Sequence, residues 1–424
     1  DYITLAGLDY DKDEDSRIAV VAKKIKGTIY EEPSQETDGT TDNGKNSTVH
    51  KTVEKSDDTK DLKDRAKEDI RSKLAEEYPT QTIYRINDDR YIISDNGKGA
   101  EKTMIYDASS DSVIFTLNGN ESVIDVFEDK FGTYKFVSAG NNEYAILDVT
   151  IFDDSGNILY KYEIDTKAAG ILNGVENDSK MHVSPDGKTL VYRNIEYIKD
   201  DSSLDIVDHF ICFKYEDQKN PVNIADYRGC FYAYDFAVSN DMLIVDHSTE
   251  EYNRSTDLYS LDTDSKDNTA ALDVFGTAAG HFPKYIPKGD SILCVIERNN
   301  TLLSIKPDDN GDIKLGDKTY TITEYELAGT EDGNKTNATI SDSGRYAASV
   351  YSTDDNKLVF TLYEIDDDNV TELKTIKKDL ADPEFEVLLS ADLNEQTGEF
   401  SVRRIIKSNE IVTADRIDSV NFFE

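Results

Sequence analysis

One short pattern recurs along most of this chain: a turn of polar or glycine residues followed by a β-rich apolar run. Its clearest copy is Ser184-Pro185-Asp186-Gly187-Lys188, which leads into Thr189-Leu190-Val191-Tyr192. The copies align on Asn87, Ser138, Ser184, Ser239, Pro287, Ser341 and Ser390. Their mean spacing is about 50 residues, a period typical of stacked supersecondary units that bury their faces only against neighbouring units.

Each unit continues with further short strand candidates. In the fourth unit, Met242–Val245 is followed by Asp257–Asp262 and Ala270–Phe275. Short runs rich in Val, Ile, Tyr, Phe and Leu, bounded by Asp, Asn, Ser and Gly, are typical of strands and turns. Four strands in a unit of this size match one propeller blade. The sequence therefore predicts an all-β fold, a seven-bladed β-propeller over residues 80–424, with six or eight blades as alternatives.

The turn Ser184-Pro185-Asp186-Gly187 resembles the S-P-D-G signature of the WD-like repeats in TolB-type propellers. Ser341-Asp342-Ser343-Gly344 is a looser match. This WD40-like resemblance implies a propeller architecture. It also implies a role in protein binding, because such repeats chiefly form interaction scaffolds, although they also occur in enzymes.

The residues before the repeats divide into three predicted parts. Residues 1–27 contain two strand-like runs, Tyr2–Leu8 and Arg17–Lys24, which we expect to close the last blade because that unit is about one strand short. Residues 28–60 are polar and poor in aromatic residues, which predicts a flexible excursion. In residues 61–79, apolar residues recur every fourth position from Leu62 to Tyr78, which predicts one amphipathic helix, either a partner-binding helix or a brace on the propeller.

The charge of the chain excludes some partners. Lys and Arg number 47 against 86 Asp and Glu, which gives a net charge of −39. A clustered cationic surface is needed to neutralise nucleic-acid phosphates, so we expect no nucleic acid and no direct binding to an anionic membrane. The chain begins at Asp1, and it is acidic and low in cysteine, which leads us to expect an extracellular or cell-surface location.

Motifs for catalysis are absent from the sequence. The five His are scattered without HExxH, and there is no G-x-S-x-G and no phosphate-binding P-loop. Cys212 and Cys294 lie in apolar runs and are expected to be buried thiols, while Cys212 with Cys230 is the one pairing to test as a disulfide. We expect no cofactor.

One acidic turn is a candidate calcium site. Asp308, Asn310 and Asp312 offer oxygen ligands around Gly311, which permits a tight loop. The alternative for this turn is a solvated acidic loop.

The preferred interpretation is a secreted, non-catalytic propeller that binds a protein or small ligand at its blade loops and central channel. One alternative is an enzyme that processes glycans or peptides with paired carboxylates. Another is a structural subunit of an extracellular assembly, with the N-terminal residues reaching a neighbour, or a homo-oligomer.

Overall fold

The described residues of the chain form seven sheets, numbered 1 to 7 in chain order. The computed structural model describes residues 48–55, 62–95, 102–119, 121–140, 143–171, 180–199, 204–228, 233–248, 254–261, 269–272, 283–296, 300–329, 335–367, 369–380, 387–408 and 411–424. In each sheet, strands that are consecutive in sequence lie side by side and antiparallel. The exception is in sheet 5, where the strand Thr301–Pro307 pairs with Lys318–Glu326 and not with the short strand Ile313–Leu315 between them. Short polar turns are sufficient to connect such strands.

Two strands precede the sheets, β1 (Thr48–Lys51) and β2 (Glu54–Lys55), and the helix α1 spans Ile70–Glu77. Short 3-10 turns occur at Leu62–Arg65 and Tyr215–Asp217. Sheet 1 contains β3 (Thr82–Arg85), β4 (Arg90–Ser94), β5 (Lys102–Asp107) and β6 (Ser112–Asn118). Sheet 2 contains β7 (Ser122–Val126), β8 (Lys130–Gly140), β9 (Glu143–Asp153) and β10 (Ile158–Asp165). Sheet 3 contains β11 (Met181–Val183), β12 (Thr189–Lys199), β13 (Leu204–Lys214) and β14 (Val222–Arg228).

Sheet 4 contains β15 (Ala233–Val238), β16 (Met242–Ser248), β17 (Arg254–Ser260) and β18 (Thr269–Leu272). Sheet 5 contains β19 (Pro283–Lys288), β20 (Ser291–Ile296), β21 (Thr301–Pro307), β22 (Ile313–Leu315) and β23 (Lys318–Glu326). Sheet 6 contains β24 (Thr336–Ile340), β25 (Tyr346–Ser352), β26 (Lys357–Asp366) and β27 (Asn369–Asp379). Sheet 7 contains β28 (Val387–Asn394), β29 (Glu399–Ser408) and β30 (Ile411–Asn421).

Apolar clusters join each sheet to the next from sheet 1 to sheet 7. Between sheets 3 and 4, for example, Phe210 and Val191 pack with Phe236 and Val245. A sheet that is apolar on both faces can bury them only between two neighbours, which explains the nearly continuous apolar runs of the central strands. The all-β, propeller-like architecture predicted from the repeat is confirmed.

The prediction of a flexible excursion at residues 28–60 is wrong for its described part. β1 pairs in parallel with β23 at the outer edge of sheet 5, and β2 pairs in parallel with β27 at the outer edge of sheet 6. Backbone pairing at a free sheet edge orders this polar segment although it has little apolar surface to bury. Residues 1–27, predicted to close the last blade, lie outside the described residues.

The single helix predicted over residues 61–79 is also wrong, because the segment is divided. Leu62 joins the cluster between sheets 6 and 7, whereas Ile70 and Leu74 pack on sheet 1. Asp69 caps α1 by accepting a hydrogen bond from the Ser72 N–H at 3.0 Å, and the Lys67 N–H donates to the Gln396 carbonyl at 2.8 Å. Both contacts compete with helical hydrogen bonds, so α1 begins only at Ile70.

In the described part of the chain, no helix has the length and apolar character needed to span a bilayer.

Candidate functional site

The turn between the first and second strands is built alike in several sheets. In sheet 3, Ser184 Oγ accepts a hydrogen bond from the Thr189 N–H at 3.0 Å. A side-chain oxygen that satisfies turn N–H groups is the physical reason why a Ser or Asn recurs there. Three other turns have the equivalent hydrogen bond of 3.0–3.1 Å from a backbone N–H to a side-chain oxygen: from Arg90 to Asn87 Oδ1, from Met242 to Ser239 Oγ and from Tyr346 to Ser341 Oγ.

Three alignment positions of the sequence repeat do not lie in turns. Ser138 lies inside β8, Ser390 lies inside β28, and Pro287 lies inside β19, one residue before its end. The corresponding turn of sheet 2 lies at 127–129, where Phe127-Glu128-Asp129 lacks the Ser or Asn of the pattern. In sheet 7 the turn follows Asn394, whose Oδ1 accepts the Gln396 N–H at 3.0 Å.

Gly187 shows why the clearest copy of the turn contains glycine. Its φ is +79°, and an added Cβ would lie 3.0 Å from Tyr160 Cδ2 and 3.2 Å from Ile151 Cγ2. Its carbonyl accepts a hydrogen bond of 2.9 Å from the buried Tyr162 hydroxyl. The turn of sheet 3 is therefore fixed against sheet 2 by both shape and hydrogen bonding.

Polar contacts link each sheet to the next, and the last sheet to the first. The bonds between consecutive sheets are Asn87 to Glu128 O, Val183 N to Asp125, Asp186 N to Asn240, Asn240 N to Gly289 O, Lys284 to Ile340 O, and Asn337 to Leu388 O, at 2.6–3.1 Å. Sheet 7 contacts sheet 1 through the ion pair of Glu395 with Arg85 and the hydrogen bond of Gln396 with Tyr91.

A cavity of about 1620 Å³ lies where these turns converge. Each of the seven sheets contributes to its lining from the turn after its first strand or close to it: Asn87, Glu128, Asp186, Asn240, Gly289, Ser343 and Glu395. Concave sites with several converging polar groups are the usual places for ligands. This cavity is the candidate functional site.

Residues 62–77, called the brace below, form part of the cavity wall. Leu62, Arg65, Lys67 and Arg71 line it. Arg65 contacts Glu364 through Nη1 at 2.9 Å and Nη2 at 3.2 Å. Lys67 pairs with Asp88 of sheet 1, and Asp69 accepts a hydrogen bond of 3.0 Å from Asn394 of sheet 7. Because Glu364 belongs to sheet 6, the brace connects sheet 6 with sheets 7 and 1.

Two carboxyl groups of the cavity have shifted pKa values, and both are shifted downward. Burial alone would raise the pKa of Glu364, but hydrogen bonds from Arg65 and Arg345 outweigh it and lower this pKa. At Asp88, burial likewise acts upward, while hydrogen bonds from Lys67 and Arg85 hold the pKa below its ordinary value. Both groups are therefore anionic near neutral pH.

A carboxylate and an imidazole meet on the first strands of sheets 2 and 3. Asp125 Oδ1 lies 2.9 Å from His182 Nδ1, and Asp125 Oδ2 accepts the Val183 N–H at 2.6 Å. The His182 ring stands edge-on to Phe236 of sheet 4, with centroids 4.6 Å apart. Burial would lower the pKa of His182, but the charge and the hydrogen bond of Asp125, together with the charge of Asp235, outweigh it and raise this pKa.

The predicted calcium ligands lie away from the cavity lining. Both carboxylate oxygens of Asp308 accept hydrogen bonds of 2.9 Å, from the Asn310 N–H and from Thr321 Oγ1. The bond from Asn310 is the main cause of a lowered Asp308 pKa. The side chains of Asn310 and Asp312 are exposed. Calcium binding at this turn stays a prediction, and a melting temperature that does not change with calcium would contradict it.

Cys212 and Cys294 are buried thiols, and burial raises the pKa of Cys212 to about 11. Cys230 lies outside the described residues. Within those residues, no group of three or more His, Cys, Asp or Glu side chains is placed to hold a metal ion.

Sequence reasoning missed the cationic part of the cavity and the Asp125–His182 pair. Arg65, Lys67 and Arg71 stand close together in an otherwise acidic chain, which was a usable signal. No local signal exists for Asp125 and His182, because their meeting depends on the packing of two sheets.

Comparisons with known proteins give only distant likenesses. No protein-family model and no curated protein matches this chain. Hsv2 of Kluyveromyces lactis aligns with a TM-score of 0.36 and 14% identity over 80% of this chain and 99% of that one. The periplasmic gluconolactonase PpgL of Pseudomonas aeruginosa has a TM-score of 0.32 and 10% identity, covering 76% and 93% of the two chains. The WD40 domain of SCAP from fission yeast has a TM-score of 0.32 and 10% identity, covering 81% and 85%. At these TM-scores the likenesses carry no argument about activity or ligand.

Proposed function

We propose that this protein is an extracytoplasmic binding module: a closed, seven-bladed β-propeller that takes its ligand in the cavity described above. The polar contacts that run from sheet to sheet, including Glu395 with Arg85 between sheets 7 and 1, support the closed ring. The observation that carries the binding role is that all seven sheets contribute a turn residue to one large cavity. The extracytoplasmic location is proposed from composition alone.

Binding is preferred to catalysis because of the charge state of the cavity carboxyls. A carboxyl that acts as a general acid near neutral pH needs a raised pKa, as paired carboxylates in glycosidases show. The pKa values of Asp88 and Glu364 are lowered instead, because each carboxylate contacts two cations. These residues are suited to holding structure and binding charge.

One observation favours an enzyme as the second candidate. Asp125 contacts Nδ1 of His182, the arrangement by which a carboxylate orients an imidazole for general-base catalysis. Such an enzyme would hydrolyse a glycan or a peptide bound in the cavity. Turnover by the wild-type chain that is lost in His182→Gln, with the melting temperature preserved, would favour this candidate over the binding module.

The binding role is tested by thermal-shift measurements with small anions, polyamines, oligosaccharides and short peptides. The variant Lys288→Trp places a bulky side chain at an exposed position of the cavity lining. Lys219→Trp is the matched control, an exposed lysine outside the lining. We expect at least one compound class to raise the melting temperature of the wild type and of Lys219→Trp, but not of Lys288→Trp. No shift with any class, or equal shifts in all three proteins, would contradict the proposal.

A further inference from the structure

Five of the eight cations in the cavity lining gather where the brace meets sheets 6 and 1. Arg65, Lys67 and Arg71 come from the brace, Arg85 from sheet 1, and Arg345 from the turn that precedes β25 of sheet 6. Together with the carboxylates that they contact, these five residues are called the basic corner below. Elsewhere on the rim, the turns of sheets 1 to 3 contribute acidic residues: Asp89, Glu128, Asp154 and Asp186.

Carboxylates in the basic corner are shared between cations. Glu364 contacts Arg65 at 2.9 Å and Arg345 at 3.3 Å, and Asp88 contacts both Lys67 and Arg85. Asp342 is likewise shared, by Arg71 at 3.6 Å and by Lys284 at 3.1 Å. A fourth carboxylate, Glu395, pairs with Arg85. These four carboxylates meet six cations, counting Lys284, and one carboxylate neutralises one cation, so positive charge is left uncompensated within a chain whose net charge is −39.

Arg71 and Arg345 have guanidinium N–H groups that are exposed and can bind a ligand. The Arg345 side chain is 60% exposed and contacts Glu364 through one nitrogen, and the Arg71 side chain is 56% exposed and contacts Asp342 only beyond hydrogen-bond distance. A guanidinium has five N–H donors and favours two-point contact with carboxylate or phosphate. Arg65, by contrast, is 23% exposed and already bonds Glu364 and Tyr346.

Arg71 and Arg345 both lie at one turn of sheet 6, formed by residues 341–345. Arg71 approaches it through Asp342, and Arg345 belongs to it three residues later. We propose that these two arginines form the subsite for an anionic group of the cavity ligand, either a carboxylate or a phosphate. This inference rests on the proposed binding function and specifies the class of ligand.

The negative net charge of the protein opposes the approach of an anionic ligand. A charge of −39 repels anions at long range, so only a short-range contact with uncompensated cations can hold one. Acidic residues elsewhere on the rim would attract a cation instead. Preferred binding of an anion would therefore support the arginine subsite, whereas preferred binding of a cation would indicate a site at the acidic residues of the rim.

The test is titration calorimetry of the full chain with citrate, inorganic phosphate and spermidine. The variants are Arg71→Gln and Arg345→Gln, which leave the contact of Arg65 with Glu364 in place. Arg228→Gln is the control, an exposed arginine on β14 outside the cavity lining. We expect citrate or phosphate to bind, and each cavity variant to weaken that binding about tenfold or more, since one charge-assisted hydrogen bond is lost.

Arg228→Gln should bind as the wild type does, and the tighter of the two anions shows whether the subsite prefers carboxylate or phosphate. Three results would overturn the inference: no anion binding by the wild type, wild-type affinity in both cavity variants, or tighter binding of spermidine. Ligand binding that Lys288→Trp blocks but Arg71→Gln and Arg345→Gln leave unchanged would overturn this inference while the proposed function stands.

Discussion

The junction between sheets 3 and 4 and the junction between sheets 7 and 1 hold neighbouring sheets together by different means. At the first, buried aromatic rings interlock, and Phe210 lies edge-on to Phe236 with centroids 5.2 Å apart. At the second, Glu395 pairs with Arg85, Gln396 bonds Tyr91, and the brace contacts both sides. Junctions between sheets that are consecutive in sequence use the apolar faces of the repeat. The contact between sheets 7 and 1, which are distant in sequence, uses polar groups and a segment outside the repeat.

Phe210→Ala should have the largest effect. Phe210 is fully buried between sheets 3 and 4, so its removal leaves a cavity and costs about 3–5 kcal/mol of unfolding free energy. Chemical denaturation measures this loss. Tyr197→Ala is the control, because its side chain is 44% exposed and should cost about 0.5 kcal/mol or less. Equal losses in both variants would refute the assigned aromatic packing.

Leu74→Ala should have an intermediate effect and acts on the other junction. Leu74 is fully buried between the brace and sheet 1. We expect a loss of about 2–3 kcal/mol, at the lower end for such substitutions because a short surface helix can relax. Glu76→Ala, on the exposed face of α1, should change the stability little. If Leu74→Ala melts like the wild type, the brace does not hold sheet 1.

This contrast also marks what the sequence could predict. Strand content, polar turns and propeller-like architecture follow from local patterns, because Asn87, Ser184, Ser239 and Ser341 cap turns within their own units. The division of the predicted helix depends on Gln396, and the pairing of β1 and β2 depends on β23 and β27. Contacts between residues about 300 positions apart leave no periodic signal. The run of Arg65, Lys67 and Arg71 is visible in the sequence, but neither its place in the cavity wall nor the contact between sheets 7 and 1 could be predicted.

The smallest expected effect is a dependence of stability on pH at His182. Its imidazole faces Asp125 and Asp235 as well as Lys180, and its pKa in the folded protein is raised. Stabilisation by protonated His182 is therefore complete below the unfolded-state pKa of about 6.5 and is lost as the pH rises through the folded-state pKa. The melting temperature of the wild type should exceed that of His182→Gln more at about pH 5.5 than at about pH 9. A difference that does not vary with pH would contradict the contact between Asp125 and His182.

A double-mutant cycle across the junction between sheets 7 and 1 tests the central claim, that sheet 7 packs on sheet 1 and completes the wall of the cavity. Arg85→Met and Glu395→Gln, alone and combined, are compared by chemical denaturation. Because the two side chains form an ion pair, we expect a coupling energy of about 1–3 kcal/mol. Additive losses, with coupling below about 0.3 kcal/mol, would show that the two sheets do not meet and would contradict the closed ring.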